Sequence, residues 1–276
     1  IEDLEICGPS AYGYAPLQER LARKAGVDPD RVVHATGTSM ANLLVLAAAA
    51  ESGDVVLIEA PTYSLLVDAA RWLSLDVRRF PRRAEEGFRL DPREVERAIT
   101  PRTRLVVLTN LHNPSSAFVP PEDLRAVGEA ARSVGARVLV DEVYLEALAV
   151  RGRSPGSAAH LGPEFVVTSS LTKAYGLSGL RCGWAVAEPE LARRMWRLDD
   201  LFGVIPAHPA ERLSVVALDH LDRVAERARR ILETNSDGVN AFLAARPDLA
   251  CAPVDGGMIA FPRLLGGDVD GLCRRL

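Results

Sequence analysis

The sequence predicts an α/β fold: a mainly parallel, seven-stranded sheet with helices on both faces. Three observations predict it. Short β-branched runs alternate with longer helical patterns, the strands are almost purely apolar, and the stretches richest in small and polar residues follow strand ends.

In chain order, strands are expected at Val32–Ala35, Val55–Glu59, Val77–Phe80, Leu105–Thr109, Arg137–Asp141, Phe165–Ser169 and Cys182–Ala187. Helices are expected at Ala41–Glu51, Leu65–Ser74, Pro92–Ala98, Pro121–Val134 and Pro189–Leu201. The fourth of these begins as a helix should, with Pro in the first turn and Glu122 and Asp123 near the positive end of the dipole. After Pro209 the pattern changes to a long, Arg-rich amphipathic helix over Ala210–Ala244, broken once near Asp219 and ended by Arg246-Pro247. A strand at Met258–Pro262 and the start of a helix follow. Residues 1–235 thus read as a large domain, and 236–276 as the beginning of a smaller α+β domain. The opening Ile-Glu-Asp-Leu-Glu and the closing Arg-Arg-Leu read as cut ends.

Composition narrows the function. Of 276 residues, 48% are hydrophobic and 25% charged, as in ordinary soluble domains. The net charge of −4 weighs against nucleic acid or an anionic membrane as the main partner, and no apolar run is long enough to span a bilayer. Cys7, Cys182, Cys251 and Cys273 are far apart and form no CxxC pair, which favours neither a disulfide framework nor a metal site and fits a reducing cytoplasm. Among 33 basic residues only Lys24 and Lys173 are lysines. A GC-rich genome accounts for most of that bias. It still draws attention to any lysine among small neighbours, because an amine can lose its proton and attack a carbonyl and a guanidinium cannot.

Five segments carry chemistry. Thr168–Gly183 leaves a strand, places Lys173 amid hydroxyls and adds Arg181 eight residues later. Ser170 and Arg181 suit a phosphate dianion and Lys173 an imine to an aldehyde, while the plainer alternative is a surface loop with a solvated lysine. Gly37-Thr38-Ser39, between a strand and an Ala/Leu helix, is either a phosphate cradle or a simple helix cap. Asp141 ends an apolar strand, where it could keep a pyridine nitrogen protonated or cap the next helix, and Tyr144 follows three residues on. Asn113-Pro114 is a turn signal whose amide could also donate to a phenolate. Tyr63 is a half-buried aromatic or a stacking platform for a flat ring.

In order and spacing these segments, from about Tyr12 to Phe261, resemble the class I/II aminotransferases, the fold-type I enzymes that use pyridoxal 5′-phosphate (PLP). The resemblance implies that Lys173 is the Schiff-base lysine and proton shuttle and that Asp141 pairs with the pyridine nitrogen. It implies that Tyr144 and Asn113 bind the phenolic oxygen, that Tyr63 stacks on the ring, and that Gly37, Thr38, Ser39, Ser170 and Arg181 hold the phosphate. It further implies ping-pong exchange of an amino group between an L-amino acid and a 2-oxo acid, in a homodimer with shared active sites. Three departures stand out. The usual Asn-Pro-Thr-Gly is here Asn113-Pro114-Ser115-Ser116, Gly8 stands where a tyrosine reaches a neighbouring phosphate (Tyr12 or Tyr14 being the substitutes), and the C-terminal arginine that grips the substrate carboxylate is not in this chain. Rival readings are another PLP reaction on an amino acid (a C–S or β-lyase, a decarboxylase, a cyclase) and a PLP-sensing domain of a transcriptional regulator. No GxGxxG follows a strand and no GxxxxGK[ST] occurs, which disfavours dinucleotide and P-loop chemistry. His208 is read as a substrate contact or as a cap of the helix it precedes.

Overall fold

The computed structural model describes residues 8, 13–203, 206–252 and 256–275. The strands are β1 (Val32–Thr36), β2 (Val55–Ala60), β3 (Asp76–Pro81), β4 (Thr103–Thr109), β5 (Arg137–Asp141), β6 (Phe165–Ser170) and β7 (Cys182–Val186), with a short pair β8 (Leu249–Ala250) and β9 (Arg263–Leu264). The α-helices are α1 (Ala15–Ala25), α2 (Thr38–Ala49), α3 (Ser64–Trp72), α4 (Pro92–Ala98), α5 (Pro121–Ser133), α6 (Glu146–Val150), α7 (Pro189–Asp199), α8 (His208–Asp219), α9 (Leu221–Ala244) and α10 (Val269–Arg275).

The first seven strands form one sheet in the order β1-β7-β6-β5-β4-β2-β3, in which β7 alone runs against the other six. Alternate side chains of each strand point to opposite faces. Leu105 and Val107 of β4 join Leu44, Leu46 and Met195 on the side of α2 and α7. Val106 and Leu108 join Leu17, Leu21, Leu124 and Val127 on the side of α1 and α5. Both faces being covered, the central strands need apolar residues at most positions, which is why they read as continuous runs. At one edge, β3 presents Arg78 and Arg79 outward, charges that discourage pairing with another chain.

The predicted sheet and the helix break hold: α8 ends at Asp219 and α9 begins at Leu221. Some elements differ, α1 and the expected strand Met258–Pro262 among them. The sequence reading passed over α1, although Pro16 stands in its first turn and Gly26 closes it in the left-handed region (φ 67°). The strand expected at Met258–Pro262 is not one. Ile259 exchanges its backbone bonds with the Ser116 hydroxyl (2.8 Å to its carbonyl, 3.3 Å from its N–H) instead of with a neighbouring strand, and the pairing falls to Arg263–Leu264 against Leu249–Ala250. No helix among the described residues is long and apolar enough to cross a membrane.

Under the carboxyl edge lies a buried ion pair. Glu59, at the end of β2, meets Arg82 Nη1 at 2.8 Å, both side chains being inaccessible. Its other oxygen accepts the Thr109 N–H (2.7 Å) and hydroxyl (2.6 Å). Removing one partner of such a pair leaves a buried charge uncompensated. Glu59→Ala is therefore expected to destabilise the protein by about 3–5 kcal/mol. A urea midpoint close to the unaltered protein's would show that the pair contributes nothing.

Candidate active site

Parallel strands deliver their carboxyl ends to one edge of the sheet, and the chemistry-bearing segments arrive there for that reason. Gly37 follows β1, Tyr63 follows β2, Asn113 follows β4, Tyr144 follows β5 and Lys173 follows β6. Arg181 joins them because β7, running the other way, starts at this edge. The result is a cavity of about 300 Å³ lined by Thr38, Ser39, Tyr63, Asn113, Asp141, Tyr144, Lys173 and Arg181.

One end of the cavity is built for an anion. Gly37 has φ 83° and ψ 170°, a conformation essentially reserved for glycine, and the helix α2 begins immediately after it. A side-chain carbon at Gly37 would collide with the Arg181 guanidinium, and one at Gly183 would collide with the Gly37 backbone. Arg181 itself is in the left-handed region (φ 52°), its Nη2 donating to the Thr36 carbonyl at 3.3 Å. The N–H groups at the start of α2, its dipole, the Ser39 and Thr38 hydroxyls and a guanidinium therefore face one place. Among the described residues, the Thr38 Oγ1 is buried without a hydrogen-bond partner, as expected of a group whose acceptor or donor is a ligand.

At the other end stands Asp141, 5% exposed. Its Oδ2 accepts the Asn42 amide at 2.8 Å and its Oδ1 the Val143 N–H at 3.1 Å, and the Asn42 oxygen in turn accepts the Thr168 hydroxyl at 2.6 Å. Burial outweighs these bonds and pushes the carboxyl up to about 6. Both partners are neutral, so the cavity carries a carboxylate suited to a cation. Burial, followed by the charge of Asp141, raises the Tyr144 phenol above its ordinary range. Asn113 is fixed from below, since its N–H donates to Thr109 Oγ1 at 2.8 Å and that hydroxyl donates to Glu59.

Ser170 is the exception among the expected phosphate ligands. It is fully buried and its Oγ is engaged with Thr172, sharing a bond with Thr172 Oγ1 at 2.7 Å and accepting the Thr172 N–H at 3.3 Å. Thr172 and Ser178 line the cavity instead. Tyr14 packs its ring edge-on against His208, 4.8 Å between centroids, and Tyr12 lies outside the described residues. His208 is buried and turns to Glu211 (3.2 Å), so it neither lines the cavity nor caps α8. Sequence reasoning missed Asn42, Thr109 and Val143. Asn42 left a signal: a lone amide inside an Ala/Leu helix must find a buried partner.

Next to Asp141, Glu142 points to the other side, where it accepts the Ser157 hydroxyl and the Ala158 N–H, each at 2.8 Å. Burial pushes it up to about 8 from an ordinary 4.5. The folded state then keeps a proton that the unfolded chain has lost, so this group lowers stability progressively as pH rises from about 4.5 to about 8. Its contribution to the slope is at most about 1.4 kcal/mol per pH unit. Glu142→Gln is expected to flatten the dependence of the urea midpoint on pH across that window. Parallel curves for the two proteins would refute this.

The family model for aminotransferase class I and II matches residues 6–270. Capreomycidine synthase of Streptomyces vinaceus is 32% identical over 98% of this chain and 69% of its own length. Aspartate aminotransferase of Geobacillus stearothermophilus is 26% identical over 88% of this chain and 63% of its own, so the chain spans less than two thirds of that relative. The structure of the PLP-dependent cyclase OrfR superposes with a TM-score of 0.85 at 28% identity, over 99% of this chain and 71% of the cyclase.

Proposed function

Because the chain belongs to the class I and II aminotransferase family, we propose that it binds PLP and moves an amino group between an L-amino acid and a 2-oxo acid. One observation carries the reading: an amine, a buried carboxylate, a phenol and an amide share a single cavity with an anion cradle, at the carboxyl edge of a parallel sheet. The residues fit the cofactor by three features: the unpartnered Thr38 hydroxyl, the Gly37 cradle against Arg181, and a buried Asp141 with only neutral partners.

When bound, PLP supplies an electron sink for the pair of electrons left at the substrate α-carbon. Thr38, Ser39, the first N–H groups of α2 and Arg181 hold its phosphate. Asp141 would keep the ring nitrogen protonated, Asn113 and Tyr144 would donate to the phenolic oxygen, and Tyr63 would offer its ring for stacking. Lys173 is the amine that would attach the cofactor and would hold and move the substrate α-proton. Ser170 backs Thr172 and would give the phosphate its remaining hydrogen bond. In the same reading residues 1–235 are the PLP-binding domain and 236–276 the beginning of a smaller one, consistent with the separate β8–β9 sheet. The molecule works in the cytoplasm as a homodimer with shared sites.

A second reading keeps the cofactor and changes the outcome to cyclisation or another reaction of an amino acid. It is favoured by the synthase and the cyclase, whose similarity runs over 98% and 99% of this chain. One experiment separates them. Full-length protein is mixed with PLP, and its visible spectrum is followed while amino acids are added. Conversion to the amine form of the cofactor, with release of a keto acid, is the expected result. A band that persists while other products appear favours the second reading, and no band in folded protein rejects both.

A further inference from the structure

Lys24, the other lysine of this arginine-rich chain, lies in α1, on the side of the sheet away from the α2 cradle. Its Nζ is 2.9 Å from Glu146 Oε2, and the same oxygen accepts the Tyr175 hydroxyl at 2.8 Å. The second oxygen, Oε1, accepts the Ser169 hydroxyl at 3.2 Å. The ammonium also sits 5.5 Å from the Tyr175 ring centroid and 5.9 Å from that of Trp184. A compact, three-donor head meets one carboxylate oxygen and two aromatic rings here. The side chains of Lys24 and Glu146 are 19% and 12% exposed, and Tyr175 is 3% exposed, so water screens the pair poorly.

The spacing of these residues ties them to the cavity. Tyr175 is two residues after Lys173, Ser169 is four before it, and Glu146 is two after Tyr144. The backbone of the lysine loop closes mostly on itself, through Gly176 N–H to Lys173 carbonyl (3.0 Å) and Leu177 N–H to Leu171 carbonyl (3.1 Å). Glu146 therefore grips the chain on both sides of Lys173 and belongs to the helix that follows Tyr144. We propose that Lys24, Glu146 and Tyr175 are positioning residues that fix Lys173 and Tyr144 relative to each other from behind the sheet. This rests on the reading of Lys173 as the cofactor lysine.

The test uses full-length, PLP-loaded protein and the variants Tyr175→Phe and Glu146→Gln. An achiral chromophore acquires visible circular dichroism only from the asymmetry of its surroundings, so the intensity of that signal reports how rigidly Lys173 presents the cofactor. Both variants are expected to lose most of this signal and to turn over about 10- to 100-fold more slowly, the scale of an ångström-sized misplacement. KM should stay within about twofold, since none of the three residues touches the cavity that receives the substrate. Unchanged dichroism and kcat with only a lowered urea midpoint would overturn the proposal and leave the cluster as a fastening of α1. If Glu146→Gln does not fold, Tyr175→Phe, which removes one hydroxyl, decides alone. A wild-type protein that gives no visible band with PLP defeats the assignment of Lys173 itself, and this proposal with it.

Discussion

Lys173→Ala is expected to abolish the visible band that the protein forms with PLP and to lower turnover by on the order of 10⁴-fold, the upper end for a positioned proton-transfer group. The fold should survive. The Lys173 side chain is exposed at the cavity and makes no hydrogen bond or ion pair with the described residues, so its loss is expected to change stability by about 0.5 kcal/mol or less. Lys173→Arg adds the sharper half of the test. It keeps the positive charge and much of the length but cannot shed a proton at working pH. If charge alone mattered, Arg would rescue; because attachment and proton transfer need a free amine, Arg should be as inactive as Ala. A Lys173→Arg protein that keeps the band or the turnover would remove Lys173 from the mechanism. A loss of activity matched by a large fall in the urea midpoint would leave its chemical role unsupported.

What the sequence disclosed about this site followed from periodicity. Apolar strands buried on both faces announce themselves, and a residue just after such a strand is at the carboxyl edge before any coordinates are known. Lys173, Asp141, Asn113 and Tyr144 are legible for that reason, whereas the positive φ of Gly37 is visible only in the fold. What stayed hidden depends on which side chains meet across the sheet. Nothing local says that Asn42 would reach Asp141, 99 residues away, or that Thr109 would relay Glu59 to Asn113. Ser170 shows the limit from the other side. Its spacing before Lys173 marks it as a ligand, and spacing alone does not disclose that its hydroxyl also shares one bond with Thr172 and accepts another from it. Ser116 is similar. Its turn departs from the family's pattern by lacking a glycine, yet the residue adopts φ 61° and its hydroxyl bonds the Ile259 backbone, where a strand is expected from the sequence.

Asp141→Asn should separate stability from catalysis, because the two act on this carboxyl in opposite directions. In the cofactor-free protein its ordinary value of 3.8 is pushed up to about 6 by burial. Between those two values the folded state holds a proton that the unfolded state has released, so stability falls as pH rises from about 4 to about 6 and stays lowered above it. Asn cannot ionise and escapes that cost, although it gives up one of the two bonds that Asn42 and Val143 make to the carboxylate. The net expectation is a gain of about 1–2 kcal/mol for the cofactor-free variant at pH 8, absent near pH 4. Activity should move the other way, with kcat falling about 10²–10³-fold, as when one preorganised charge-stabilising group is removed from an enclosed site. The wild-type carboxylate is unfavourable until a cation arrives beside it, and a protonated ring nitrogen is such a cation. PLP should accordingly stabilise the wild type more than the Asn variant, as urea midpoints with and without the cofactor would show. Equal stabilisation of the two proteins by PLP, or an Asn variant that turns over normally, would mean that Asp141 does not meet the ring nitrogen.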